Sequence, residues 1–302
     1  MQENRYFDAI IIGGSYAGLS AAMALGRSLR RVLIIDSGLP CNRYTPHSHN
    51  FITHDGSTPS EIAAVAKTQV LKYDTVDFLQ DTAESGQKTE QGFEIRTASG
   101  NTFYSKKIIL ATGIKDLFPD IKGFAACWGK SVIHCPYCHG YEFKSKKTAI
   151  LSDSEKALHL AGLIHNLTDS VTLIPSQNAT FTEEQNSKLE RNNIHILSKK
   201  VQEIVHQDGQ ISALIFSDGT MENFEALYAA IPFVQHSAIP EQLGCALTEA
   251  GHLKTDSLQQ TSVEGVFAAG DCSGMMRSVA YAVSTGNIAG AMVNHQIVQE
   301  EF

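Results

Sequence analysis

The chain has 302 residues, enough for two domains of ~150 residues each, and its 43% hydrophobic and 19% charged residues describe an ordinary globular composition. Lys and Arg number 24 against 32 Asp and Glu, and the resulting charge of −8 argues against an extended nucleic-acid surface. No apolar run approaches the ~18 residues of a membrane span.

The N-terminus, MQENRYFDAIIIGG, runs directly into a strand-like pattern without a basic region, apolar stretch and cleavage site in series. A cytoplasmic protein is expected, where structural disulfides are rare. Of six cysteines, at 41, 127, 135, 138, 245 and 272, only Cys135 and Cys138 have motif spacing. The isolated four, Cys272 beside Asp271 included, read as buried small hydrophobes.

Phe7 to Ile12 is a short apolar run that ends in Gly13-Gly14-Ser15-Tyr16-Ala17-Gly18. Small and apolar residues at helical spacing follow, then RRVLIIDSG, a second strand ending in Asp36. Such a βαβ unit brings backbone N–H groups and a helix N-terminus against a pyrophosphate. Asp36 stands where a carboxylate meets a ribose hydroxyl, about 20 residues past the first glycine. Against GxGxxG, Ser15 replaces the middle glycine with the smallest residue that has a Cβ. Tyr16 either covers the turn or lies beside a ligand.

Further on, Lys106 to Gly113 (KKIILATG) reads as a strand closing in the turn Ala111-Thr112-Gly113. HCPYCHGYE, His134 to Glu142, is open to several chemistries taken alone: a glutaredoxin-like thiol centre, half a zinc site, a haem c attachment point or a flavoprotein's redox disulfide. Pro136 suits a first helical position, and a cysteine at a helix N-terminus beside an imidazole has its thiolate favoured. His139 is the candidate acid–base, since imidazole titrates near neutrality. His134 reads as structural. Near the C-terminus, SVEGVFAAGDCS gives a strand, Gly270-Asp271 and a helix from about Met276, with Arg277 at its start read as solvated.

The glycine turn, the ATG turn and the GD segment together resemble the flavoprotein pyridine nucleotide-disulfide oxidoreductases. The resemblance implies an FAD site completed by Ala111, Thr112, Gly113, Gly270 and Asp271, the last on the ribityl chain. With GD so far from the glycine turn, the FAD domain is expected to be discontinuous, at 1–114 and 234–302, with an inserted pyridine-nucleotide-type domain at 115–233. CxxC in the insert resembles the low-molecular-weight thioredoxin reductases. CPYCHG and His47-Ser48-His49-Asn50-Phe51 resemble a subgroup that includes gliotoxin- and holomycin-type dithiol oxidases and ferredoxin-dependent reductases. By that resemblance Asn50 lies near the flavin, Cys138 faces the isoalloxazine and Cys135 meets the substrate's sulfur.

The insert departs from the family pattern. Between the strand KTAIL and the helix read at Ala157 to Leu167 stands Ser152-Asp153-Ser154-Glu155-Lys156, with no glycine. From Gly140 to Gly209 the only intervening glycine is Gly162. SVTLIP runs into SQNATFTEEQ without an arginine to clamp a 2′-phosphate. Each acid beside a pyrophosphate costs on the order of 1 kcal/mol even when well solvated. NADPH is therefore doubtful as the reductant.

The expected fold is two Rossmann-like three-layer α/β domains. The expected function is FAD-dependent thiol–disulfide exchange through Cys135, Cys138 and His139, with no metal. By resemblance the partner is a thioredoxin-like protein or a small dithiol, the donor NADPH, ferredoxin or a dithiol, and the assembly a homodimer. The competing readings are a dithiol oxidase using O2 and a non-catalytic redox sensor.

Overall fold

A computed structural model describes residues 5–175 and 179–302. The chain divides into two compact units. The first is formed by residues up to 43, 57–115 and 233–302, and the second by 44–56 and 116–232. After residue 115 the chain enters the second unit, and at 233 it returns to the first. Residues 44–56, read from the sequence as part of the first domain, pack instead with the second unit.

In the first unit the strands Val76–Gln80, Val32–Asp36, Tyr6–Ile12 and Thr102–Leu110 lie side by side and parallel. The long strand Thr102–Leu110 serves two partners. Its first half pairs antiparallel with Gly92–Thr97, while Ile108 to Leu110 pair parallel with Val266–Ala268. From Ala9 to Ile12 the strand Tyr6–Ile12 is apolar and buried at every position, as a parallel sheet covered on both faces requires. Its even positions Ile10 and Ile12 join Leu33, Ile35, Ile108, Leu110, Val266 and Ala268 in one core cluster.

Two helices complete this unit's other layer. Tyr16–Arg27 is crossed by the last helix, Val279–Glu301, at backbone contact distance. A Cβ on Gly286 would lie 2.1 Å from the Ala17 carbonyl oxygen, and one on Gly290 2.5 Å from that of Ala21. The last helix begins later than the sequence suggests. Ser278, not a residue near Met276, is the N-cap, and its hydroxyl accepts from the Tyr281 N–H at 3.1 Å. The helix Pro59–Val70 opens on a complete capping box, Thr58 with Glu61. Thr58→Ala should lower stability by about 1 kcal/mol, read as an earlier midpoint in urea with flavin content unchanged.

The second unit is a parallel sheet in the order His195–Ile196, Val171–Ile174, Thr148–Leu151, Ala226–Ala229, Val132–Ile133. One face packs on helices Ser154–His165 and Glu183–Arg191, through Ile150, Ala157, Ala161, Ile164 and Leu189. The other packs on an antiparallel meander, Val201–Gln207, Gln210–Phe216 and Met221–Asn223. Helix Ser154–His165 starts three residues before the expected Ala157, because Asp153 is already its N-cap. Ser176 to Asn178, part of the stretch that lacks an arginine clamp, lies outside the described residues. Among the described residues, no helix is long and apolar enough to cross a membrane.

Candidate functional site

Sheet register carries the first unit's site. Ile12 is aligned with Ile35 on one side and with Leu110 on the other, and Leu110 is aligned with Ala268. Four parallel strands therefore end abreast, and the segments that follow them share one edge: Gly13 to Gly18, Asp36, Ala111 to Gly113, and Gly270-Asp271. The C-terminal edge of a parallel sheet is where open α/β folds bind their ligands.

Each glycine on this edge has a distinct steric reason. Gly13 has φ +106°, and a Cβ there would lie 2.2 Å from the Ala111 carbonyl oxygen. At Gly14 a Cβ would meet Asp36 Cβ and Phe78 at 2.8 Å, and the Gly14 N–H donates to Asp36 Oδ1 at 2.8 Å. Gly18 passes the Gly13 carbonyl oxygen so closely that a Cβ would stand 1.9 Å away. Ser15 is the helix N-cap without a side-chain capping bond, and Ala17 is buried beneath Gly270 and Gly286. Gly113 has φ +65° and faces Cys41 Sγ. The Gly270 N–H donates to Thr285 Oγ1 at 3.0 Å.

Three neighbours of the turn have structural roles. The buried Tyr16 hydroxyl donates to the Pro59 carbonyl and accepts from Asn42, both at 3.1 Å. Arg277 is not solvated: its side chain is 16% exposed and its Nε stands 3.9 Å from Asp271 Oδ2. The sequence missed this because Asp271 and Arg277 are joined by a turn whose geometry no local pattern announces. Cys272 is fully buried, and burial pushes its thiol up to about 11. Cys127 and Cys245 are buried too, whereas the half-buried Cys41 donates its thiol to the Ile114 carbonyl at 3.0 Å.

The second unit holds the cysteine pair, joined as a disulfide with Cα atoms 5.4 Å apart. Cys135 caps the one-turn helix Pro136–His139, with Pro136 in its first turn, and the Cys138 and His139 N–H groups both donate to the Cys135 carbonyl at 3.2 Å. Gly140 ends that turn against Leu167, where a Cβ would lie 2.5 Å from the leucine's Cδ1. His134 stacks on Trp128, with ring centroids 5.9 Å apart. Burial first, and then the neighbouring His49, hold the His139 imidazole below its usual range, against the pull of Glu142. Neutral at physiological pH, it is free to accept a proton. Asn50, also in this unit, has φ +59° and donates its N–H to Asp55 Oδ1 at 2.7 Å, a turn role. Among the described residues, no three His, Cys, Asp or Glu side chains are arranged to hold a metal ion.

The second unit's own strand-to-helix turn differs in kind from the first. Ser152 and Asp153 link Thr148–Leu151 to the helix, and no residue of the turn has a positive φ. Asp153 as N-cap and Glu155 in the first turn carry negative charge to the helix end where a diphosphate would sit. The Ser152 hydroxyl is buried without a hydrogen-bond partner. These residues do not fit a nucleotide pyrophosphate.

A family model described as pyridine nucleotide-disulphide oxidoreductase matches residues 7–286. The chain belongs to that family. Its relatives include thioredoxin reductase sirT of Leptosphaeria maculans, 34% identical over 96% of this chain and 94% of that one. Thioredoxin reductase tcpT of Claviceps purpurea is also 34% identical, over 99% of this chain and 97% of its own. Among solved structures, an oxidoreductase from Agrobacterium tumefaciens has a TM-score of 0.90 and 33% identity, covering 97% of this chain and 99% of its own. The oxidoreductase is thus an FAD-dependent disulfide enzyme of thioredoxin reductase type, with the two-domain Rossmann-like fold of these proteins.

Proposed function

We propose that this oxidoreductase moves two electrons between FAD and an external dithiol or disulfide through Cys135–Cys138, without a nicotinamide as direct partner. One observation carries the reading: the second unit's nucleotide turn has Asp153 and Glu155 in place of glycine. The glycine edge of the first unit suits FAD, because Gly13, Gly14 and Gly18 form a turn packed too tightly for side chains at the ends of parallel strands, with Asp36 beside it. Gly13, Gly14, Ser15, Ala17 and Gly18 would hold the pyrophosphate, Asp36 a ribose, and Ala111, Thr112, Gly113, Gly270 and Asp271 the remainder. Bound there, FAD supplies the two-electron acceptor or donor.

The chain's own chemistry is thiol exchange. A partner thiolate attacks Cys135 Sγ, the bond to Cys138 breaks, and Cys138 leaves with the electron pair. His139, neutral beforehand, takes the proton from the incoming thiol and returns it to Cys138. A second partner thiolate then displaces Cys135, leaving the pair reduced and the partner as a disulfide. Run backwards, the same steps reduce a partner disulfide. The leading partner is a thioredoxin-like protein, which the names of the relatives favour. A small dithiol oxidised at the expense of O2 is the second reading, favoured by the ill-fitting nucleotide turn and by His139 after the second cysteine. Ferredoxin as donor and a homodimeric assembly rest on the resemblance of the sequence.

Anaerobic titration of the purified yellow protein tests the proposal. Dithiothreitol should bleach the flavin's visible absorbance, while stoichiometric NADPH or NADH leaves it unchanged over the same minutes. Rapid bleaching by NADPH would overturn the nicotinamide-independent reading and leave the disulfide chemistry standing.

A further inference from the structure

Residues 44–56 pack within the second unit and bring a histidine to the cysteine pair's short helix that nothing in the mechanism uses so far. The His49 ring stands edge-on to that of His139, with centroids 6.4 Å apart and planes at 90°. Its Nε2 lies 3.5 Å from Glu142 Oε1, and its Nδ1 lies 3.6 Å from Asp55 Oδ1. A carboxylate thus faces each ring nitrogen, and the ring itself is largely covered, at 24% exposure.

The loop holding His49 is built rather than slack. The Gly56 N–H donates to the Ser48 carbonyl at 2.9 Å, and His47 Nδ1 meets the Gly56 carbonyl at 3.0 Å. Asp55 is fixed by the same Oδ1 that accepts the Asn50 N–H. Gly129 lets the chain pass Tyr44 and Thr45, where a Cβ would press at 3.1 to 3.2 Å.

We propose that His49 is a positioning residue for the Cys135–Cys138 centre: held between Asp55 and Glu142, it fixes the His139 ring and, with Glu142, sets whether that ring carries a proton. This rests on His139 being the acid–base of the exchange reaction. Glu142 favours the charged His139 ring and His49 disfavours it, so the two neighbours work in opposite senses. The other groups around the ring are Cys135 and Cys138 on its own turn, and His47 and Asp55 behind His49. Burial first, and then the charge of Glu142, keep the Tyr228 hydroxyl un-ionised. Helix Ser154–His165 packs on the turn and brings Glu155, Lys156, His159 and His165.

The opposition makes the proposal testable with the full-length, FAD-loaded protein. The titration of the His139 ring is followed by NMR with histidine labelled at Cε1, its signal assigned by its loss in His139→Gln. His49→Phe should raise the midpoint and Glu142→Gln should lower it. Each shift should be at least about half a pH unit, the interaction of unit charges ~6 Å apart in water. His49→Gln serves if the phenylalanine variant does not fold. Midpoints that stay put, or that both move the same way, overturn the positioning role. The acid–base reading fails separately, if His139→Gln exchanges thiols with dithiothreitol as fast as the wild type.

Discussion

Cys138→Ser should accumulate a stable mixed disulfide when offered a disulfide partner, releasing one partner thiol, whereas Cys135→Ser should accumulate none. Both variants should lose turnover to below about a thousandth of the wild-type rate, since neither can close the ring of bonds that carries two electrons. The difference between them comes from the order of events. In the proposed mechanism Cys135 is the sulfur that a partner reaches, and Cys138 is the one that resolves the adduct and communicates with FAD. With Cys138 replaced, a thiol on Cys135 has no internal competitor, and the adduct survives until an external thiol removes it. With Cys135 replaced, the remaining thiol has no role in capture. The variants are oxidised with a disulfide probe, 5,5′-dithiobis(2-nitrobenzoate), alkylated to quench exchange and weighed intact by mass spectrometry. One thionitrobenzoate adduct on the Cys138→Ser protein, after a brief wash with sub-stoichiometric thiol, and none on the Cys135→Ser protein, is the expected result. The reverse pattern would exchange the roles of the two cysteines. Serine is small enough to keep the short helix, and neither cysteine belongs to the hydrophobic clusters of the second unit. Both proteins should therefore remain folded and yellow.

Much of this was legible in the sequence because the steric demands are local. The apolar run, the glycines and Asp36 mark a βαβ unit by spacing alone, and the structure gives every one of those residues a contact that explains it. The missing glycine at Ser152-Asp153 was equally legible, since the residue types of a short turn are read directly from the sequence. What was not legible depends on pairings distant in the chain. Gly286 and Gly290 read as ordinary helix residues until they are seen against Ala17 and Ala21. His49 and Glu142 are separated by 93 positions, and no periodicity connects them. The allocation of residues 44–56 to the second unit is of the same kind: a polar loop with few apolar residues gives no hint of which core it covers. Asn50 belongs to that loop, and its φ of +59° is set by the turn it occupies. Arg277 was misjudged because a lone arginine after a turn is solvated by default, and only the fold turns it toward Asp271.

The largest stability effect is expected from the smallest change, Gly13→Ala, and its force comes from a control that should move the other way. At Gly13 the added methyl would stand 2.2 Å from a backbone oxygen, at φ +106°, where L residues rarely go. Neither side of the contact can yield. The Gly13 N–H is bonded to the Ile35 carbonyl at 2.8 Å and the Ala111 N–H to the Ile12 carbonyl at 2.8 Å, so both partners are anchored in the sheet. Backbone strain of about 1–3 kcal/mol adds to a similar overpacking cost, and the sum is a large share of a native stability of about 5–15 kcal/mol. The variant should purify colourless and melt well below the wild type, because the distorted turn also loses the cofactor that stabilises the folded state by mass action. Gly162 offers the opposite case: it lies inside helix Ser154–His165, is exposed, and a Cβ added there would meet nothing within 4 Å beyond its own helix's backbone. Gly162→Ala should raise stability by about 0.5–1 kcal/mol, through the lost freedom of the unfolded chain. Thermal melts with flavin fluorescence follow both variants in one experiment. A Gly13→Ala protein as yellow and as stable as the wild type would mean that the turn opens at no cost, and the glycine edge would lose its claim to be the FAD cradle.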